Sequence, residues 1–285
     1  GLSYEQALEE GARMAGIHRS PSHAKPQTVK RTPHAAQRPE KAEVPTATQA
    51  KKQAAARYYY QSARPIQGTL GERYLRDVRG IAGDISPFRY HPRIRDTRYD
   101  NNTGQWVQSY HPGIVVAAHN QAGELVASQT ILLNPDTGDK VDKDRAGAVK
   151  RSRGQVKGAA ALIQSGTNQQ VIIAEGPETA ASVMAAAPEG SIYVTLGNVK
   201  NAAELGWLAE KHHTKTLTFA ADKDNDNALI NEQLQAPYPP NQKTKQTNIS
   251  ALKAVALALK QTHDVDCLIA LPDLDNQTKV DFNEV

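Results

Sequence analysis

The 285-residue chain has one cysteine, Cys267, so it can build neither a disulfide framework nor a cysteine-rich zinc site. Large apolar side chains are also scarce, with 3 Phe, 2 Trp and 2 Met. Together with a mean hydropathy of −0.58, this implies that part of the chain packs into no core. No apolar run reaches the roughly 18 residues that a membrane-spanning helix needs. A secretory leader is not visible, and a reducing cytoplasm is the expected compartment. The chain opens on Gly1 rather than Met, as expected of a piece of a longer protein. Cys267 lies in the apolar run Cys267-Leu268-Ile269-Ala270-Leu271 and is expected to be a buried strand residue rather than a nucleophile.

Charge is present in both signs but unevenly placed. Residues 1–64 carry 11 Lys/Arg against 5 Asp/Glu, and residues 65–165 carry 14 against 10. Residues 166–285 reverse the balance, with 9 against 15. Basic segments attract polyanions such as nucleic acid, and a local acidic cluster attracts divalent cations. A protein using both would handle nucleic acid with metal assistance; a charged spacer followed by an ordinary acidic surface is the plainer account.

The composition divides the chain into three parts: 1–53, 54–165 and 166–285. Residues 1–19 can begin a helix capped at Ser3. From Ser20 to Gln53, Pro21, Pro26, Pro33, Pro39 and Pro45 recur among Lys, Arg, Ala, Thr and Gln, a mixture that cannot bury enough apolar surface to offset chain ordering. This part is expected to be a flexible basic linker, serving as a spacer or as a weak tether for nucleic acid. Helical character returns over Ala54–Ser62, and Thr69 is a suitable N-cap for a short helix ending near Gly80. Residues 86–133 are β-rich, with Gly113–His119 and Leu125–Leu133 forming a hairpin about Asn120-Gln121-Ala122-Gly123. A basic loop with Lys150, Arg151, Arg153 and Lys157 follows, then a strand over 159–164.

Beyond Gln170 the pattern alternates. Strands are expected at 171–174, 191–196, 216–221 and 265–271. Helices are expected at 177–187, 201–212, 226–235 and 249–262, with a polar loop over 237–246. Such alternation predicts a parallel sheet with right-handed crossovers, whose ligands sit beyond the C-terminal strand ends. Glu175 directly follows the first of these strands, Asp222 and Asp224 directly follow the third, and Asp281 comes shortly after the fourth. If the strands are neighbours, these carboxylates converge. Clustered carboxylates resist joint ionisation, and a hard divalent cation such as Mg²⁺ relieves the repulsion while orienting phosphoryl oxygens. Gly176 is expected to let the backbone turn sharply after Glu175.

These residues resemble a known family. Glu175-Gly176-Pro177-Glu178-Thr179-Ala180 resembles the first Toprim motif and Asp222-Lys223-Asp224-Asn225-Asp226 the second. Lys279-Val280-Asp281-Phe282-Asn283-Glu284 is similar to the closing motif, with Glu284 in place of its final Asp. Pro65-Ile66-Gln67-Gly68-Thr69, Tyr74-Leu75, Arg79-Gly80-Ile81, Lys150-Arg151-Ser152-Arg153-Gly154 and Lys157-Gly158-Ala159-Ala160 resemble the segment preceding Toprim in plasmid and phage primases. The same arrangement occurs at the C-terminal end of some conjugative relaxases. The likeness spans about 57–285. Two departures stand out: Asn227-Ala228 replaces the small-residue pair that often follows the second motif, and there is no cysteine-rich zinc ribbon.

The resemblance implies an α/β Toprim-like parallel sheet flanked by helices, preceded by a smaller α+β primase-like subdomain and the basic linker. By it, Glu175, Asp222 and Asp224 are catalytic and hold Mg²⁺ or Mn²⁺, with Asp226 and Asp281 as further ligands. Lys150, Arg151, Arg153 and Lys157 face template or nucleotide phosphates. The implied activity is primer synthesis by a DNA primase, a nucleotidyltransferase, during plasmid replication or conjugation. The implied partners are single-stranded DNA, nucleoside triphosphates and a relaxase or helicase domain in the same or another chain, without a membrane. A Toprim nuclease and a non-catalytic DNA-binding region of a relaxase are the alternatives. His212-His213 closes a helix where positive charge suits the dipole. Tyr58-Tyr59-Tyr60 is suited either to packing or to stacking on bases.

Overall fold

Strand alternation fixes the first layer. The computed structural model describes residues 47–100, 103–143, 145–197, 199–221 and 248–270. The expected helix over 1–19, most of the basic linker, the helix over 226–235 and the loop over 237–246 lie outside them.

Helix α1 spans Ala47–Gln61 and so starts ahead of the expected Ala54. Strands β1 (Arg64–Pro65), β2 (Arg89–Asp100), β3 (Gln105–His119), β4 (Leu125–Leu132) and β5 (Lys150–Gly154) form an antiparallel sheet in that order. Between β1 and β2, Thr69 caps α2 (Leu70–Arg73) by accepting from the Gly71 and Glu72 N–H groups. A wide π turn, Tyr74–Val78, continues α2 and is stopped by Gly80 at φ +66°.

The basic segment after Lys150 was expected to be a loop. It is instead a strand, β5, paired with β4 from Ala127↔Gly154 to Ile131↔Lys150. Its sequence conceals this because neither face is apolar: the long stems of Arg151 and Arg153 supply the half-buried surface that Val or Ile would supply elsewhere. Gly154 ends it, since a Cβ there would stand 2.1 Å from the Val126 carbonyl oxygen.

The second sheet has the order β10-β9-β7-β8-β6. Its members are β6 (Ala161–Gln164), β7 (Val171–Ala174), β8 (Ser191–Val194), β9 (Thr216–Ala220) and β10 (Asp266–Ala270). All neighbours pair in parallel except the edge strand β6, which is antiparallel to β8. The strand expected over 159–164 therefore belongs to the second sheet, and the change of sheet falls between β5 and β6. Helix α3 (Pro177–Ser182) is shorter than the expected 177–187. The helix expected over 201–212 is split at Gly206 into a 3₁₀ segment (Val199–Glu204) and α4 (Trp207–Lys211). Helix α5 spans Asn248–His263.

Packing follows the layers. Ile94, Val115 and Leu132 meet Tyr59 and Tyr60 beneath α1. Ile114, Val116 and Ile131, on the opposite face of the first sheet, share one core with Tyr74, Met184, Ile172 and Ile192. The far face of the second sheet packs Val171 and Ile173 against Leu208, Leu252 and Leu259. Burying each such side chain contributes roughly 1.5–3 kcal/mol before ordering costs. No described helix is long and apolar enough to cross a membrane.

Candidate active site

Parallel pairing brings the C-terminal ends of β7 and β9 together. Ile172↔Thr218, Ile173↔Phe219 and Ala174↔Ala220 are aligned partners. Glu175 follows β7 immediately and is half-buried. The chain of β9 runs on to Ala221, whose N–H donates to the Ala270 carbonyl of β10 at 3.0 Å. Asp222, the next residue in sequence, lies outside the described residues, as do Asp224, Asp226 and Asp281. Among the described residues no three His, Cys, Asp or Glu side chains form a metal-sized cluster.

The backbone at this edge is held from the β8 side. Glu175 accepts at its carbonyl from the Gly197 N–H at 2.7 Å. Leu196 adopts φ +61°, a left-handed conformation that a branched side chain occupies only under constraint from its surroundings. Its carbonyl accepts from the Ser152 hydroxyl at 2.8 Å, and Ser152 in turn accepts from the Gln129 amide at 3.0 Å. The end of β8 is thus fastened to β4 and β5 of the first sheet.

A second junction, absent from the sequence reading, lies beside it. Glu178, three residues beyond Glu175 and 2% exposed, sits in the first turn of α3. It receives a hydrogen bond from the Tyr74 hydroxyl at 2.5 Å and ion-pairs with Lys140 at 2.7 Å and with Lys150. Burial by itself would raise the Glu178 carboxyl, but the Lys150 and Lys140 ammoniums outweigh it and hold it at about 2. The same burial, together with the adjacent carboxylate, raises the Tyr74 phenol and keeps it protonated. Glu178 is therefore an ionised anchor whose oxygens are engaged, unlike a carboxylate open to a cation. The sequence signal for it was a glutamate in the first turn of an otherwise apolar, Ala-rich helix, which is equally the signature of an ordinary dipole-complementing residue.

Gly176 does not make the expected sharp turn. Its φ of −119° and ψ of 156° are extended and open to any residue. Nor is glycine needed there for space: a Cβ would lie 3.7 Å from Lys150 Nζ, an ordinary van der Waals contact, which places the ammonium close against the Glu175–Gly176 backbone.

The four predicted phosphate contacts do not share a face. Lys150 and Ser152 point toward the second sheet, whereas Arg151 and Arg153 point to the opposite face under α1. Arg151 ion-pairs at 2.8 Å with Asp96, which is 1% exposed and also accepts from the Gly147 N–H. Arg153 donates to Thr130 Oγ1 at 2.8 Å and stacks 4.4 Å above the Tyr59 ring. Lys157 makes an exposed pair with Glu204 at 3.0 Å, a contact of small energetic weight. Of the four, the structure brings only Lys150 next to Glu175.

Lys150 also borders a cavity of about 800 Å³ between the π turn and the 139–149 loop. Arg79, Lys140, Lys143 and Lys150 line it against Asp139 and Asp142. The positive excess and the size suit a polyphosphate.

Other candidates resolve into packing. Tyr59 lies edge-on to His91, Tyr60 is covered by Arg89, and Tyr58 remains 62% exposed. His212 Nε2 is 2.8 Å from the Tyr193 hydroxyl, and burial, then Lys211 and His213, lower its pKa. The neutral form is favoured, against the expected positive helix end. Cys267 is a half-buried strand residue whose thiol burial raises to about 11, with Asp266 adding to the rise.

A domain family of unknown function, DUF7146, matches residues 50–163. No curated protein matches. Among solved structures, the catalytic core of Escherichia coli primase is 13% identical over 83% of this chain and 74% of its own, with a TM-score of 0.46. The RNA polymerase domain of Mycobacterium tuberculosis primase is 14% identical over 81% of this chain and 76% of its own, with a TM-score of 0.45. The primase fragment of the bacteriophage T7 primase-helicase is 13% identical over 64% of this chain, with a TM-score of 0.35. This chain covers 61% of that fragment.

Proposed function

We infer that the chain is a divalent-metal-dependent, primase-type nucleotidyltransferase that builds primers on single-stranded DNA, in plasmid or mobile-element replication or conjugative transfer beside a relaxase or helicase domain. The observation that carries the reading is the parallel register Ala174↔Ala220. It sets side by side the two strand ends from which Glu175 and, in sequence, Asp222 and Asp224 follow.

The donor set fits a hard cation, because carboxylate oxygens are the ligands Mg²⁺ and Mn²⁺ prefer. Glu175 is the described member; Asp222 and Asp224, with Asp226 and Asp281, are proposed as the others. A bound cation supplies Lewis-acid stabilisation of the phosphoryl oxygens and of the departing pyrophosphate. The chain's own groups do the positioning. The Gly197–Glu175 and Ser152–Leu196 bonds fix the edge on which Glu175 sits. Lys140 and Lys150, with Arg79 and Lys143, offer cationic contacts to a triphosphate in the adjoining cavity. Arg151, Arg153 and Lys157 are not assigned to this contact, because their partners lie elsewhere.

The test is a primer-synthesis assay with single-stranded DNA, ribonucleotides and Mg²⁺ or Mn²⁺. Synthesis that is lost in Glu175→Gln and in Asp222→Asn supports the reading. Synthesis that survives both substitutions sinks the site. DNA cleavage without added nucleotides would mark a nuclease, and salt-sensitive binding with neither activity would mark a DNA-binding appendage.

A further inference from the structure

We propose that the outer half of the β2–β3 hairpin is a base-stacking platform for single-stranded nucleic acid. It deepens the reading above and rests on it for the choice of a single strand as occupant. β4 pairs with β3 only from Gly113 onward, so the stretch from Ile94 to Asp100 and from Gln105 to His111 extends as a two-stranded ribbon.

Residues directly opposite one another in an antiparallel pair share a face. Tyr99↔Trp106, Thr97↔Gln108 and Arg95↔Tyr110 therefore line one side of the ribbon. On that side Trp106 is 72% exposed, Tyr99 50% and Tyr110 44%. Tyr99 and Trp106 meet edge to face at 5.5 Å, and the bulge between His91 and Ile94 brings Arg93 4.2 Å above the Tyr110 ring. The two aromatic positions lie four residues apart, or about 13 Å along the strands.

Among the described residues of the ribbon itself, charge on this face has one sign. Arg93 and Arg95 are exposed there, while the nearby carboxylate of Asp96 faces the other side, held by Arg151. Exposed aromatics interleaved with exposed arginines match a ligand that is polyanionic and presents a π-face at every unit. A protein partner with an acidic apolar surface would match the charge but has no need of the spaced, exposed rings.

Register also ties the ribbon to the candidate active site. Tyr110 and Ile114 lie on one side of β3, and Ile114↔Ile131 and Ile131↔Lys150 carry that side across to Lys150. A strand stacked on the ribbon is thus on the side of the sheet that meets Glu178 and the end of β7.

The experiment is a binding titration of the full chain with oligothymidylate, in chelator and without nucleotides. Of the two tryptophans only Trp106 is exposed, since Trp207 is 8% accessible, so binding should quench the intrinsic fluorescence. Trp106→Ala with Tyr110→Ala should weaken binding to labelled oligothymidylate at least tenfold with unchanged thermal stability. Arg93→Gln with Arg95→Gln should reduce the slope of log affinity against log salt by about 1.4. Unchanged affinity in the aromatic variant, binding without quenching, or Trp106-dependent self-association without oligonucleotide binding would each overturn the platform. Glu175→Gln should bind as the wild type does. Synthesis that survives Glu175→Gln while stacking holds then counts against the active site alone, and absence of stacking while synthesis depends on Glu175 counts against the ribbon alone.

Discussion

Lys150 of the first sheet and Glu178 of helix α3, which follows β7 of the second sheet, form an ion pair that links the two, and Tyr74 and Lys140 complete it from two further segments. Three side chains 28, 38 and 104 residues away in sequence thus converge on one buried carboxylate, next to the strand end that carries Glu175. The pair both fastens the sheets together and fixes an ammonium beside the Glu175–Gly176 backbone.

Removing a partner from a buried ion pair leaves an uncompensated charge. Lys150→Met should cost about 3 kcal/mol of unfolding free energy, near the lower bound for such a break because Lys140 remains. Urea denaturation at neutral pH checks this, and a loss under about 1 kcal/mol would show the carboxylate to be compensated elsewhere.

Acid should weaken the same junction. Glu178 binds its proton less tightly in the native state than in the unfolded chain, so its contribution is fully present above the ordinary 4.5 and is lost as pH falls toward 2. Glu178→Gln should be less stable than the wild type at neutral pH. Its melting temperature should then fall less on acidification through that window. Parallel acid limbs in the two proteins would contradict the depressed carboxyl.

Arg151 offers a direct contrast with Lys150. Arg151→Met strands the buried Asp96 carboxylate and should destabilise by about 3 kcal/mol, while the double change with Asp96→Asn should recover much of the loss. Nucleotide KM in Arg151→Met, measured below its melting range, should stay near the wild-type value. A large rise in KM without loss of stability would restore Arg151 to the phosphate contacts.

Divalent metal should report on Glu175 without any assay of synthesis. A ligand that binds only the native state at a hundred times its Kd adds about 2.7 kcal/mol. Saturating Mn²⁺ should therefore raise the melting temperature of the wild type and fail to raise that of Glu175→Gln, as scanning calorimetry would show. An equal rise in both would place the cation away from this strand end.

The sequence alone determined the parts of the fold that depend on local pattern. Alternating apolar strands and helices after Gln170 predicted the parallel sheet, Thr69 predicted its own helix cap, and Asn120–Gly123 predicted the β3–β4 turn. The position of Glu175, though not its role, was legible because a carboxylate directly after an apolar strand is placed at a sheet edge by chain geometry. What only the tertiary structure decided is pairing over distance. That β7 lies beside β9, and that Lys150 and Arg151, adjacent in sequence, serve opposite faces of one sheet, depends on register. A strand built of Lys, Arg and Ser carries no apolar period to announce itself, because its buried surface comes from side-chain stems. Glu178 was hidden for the same reason: its partners lie 28, 38 and 104 residues away, and only the packed junction brings their charges within reach.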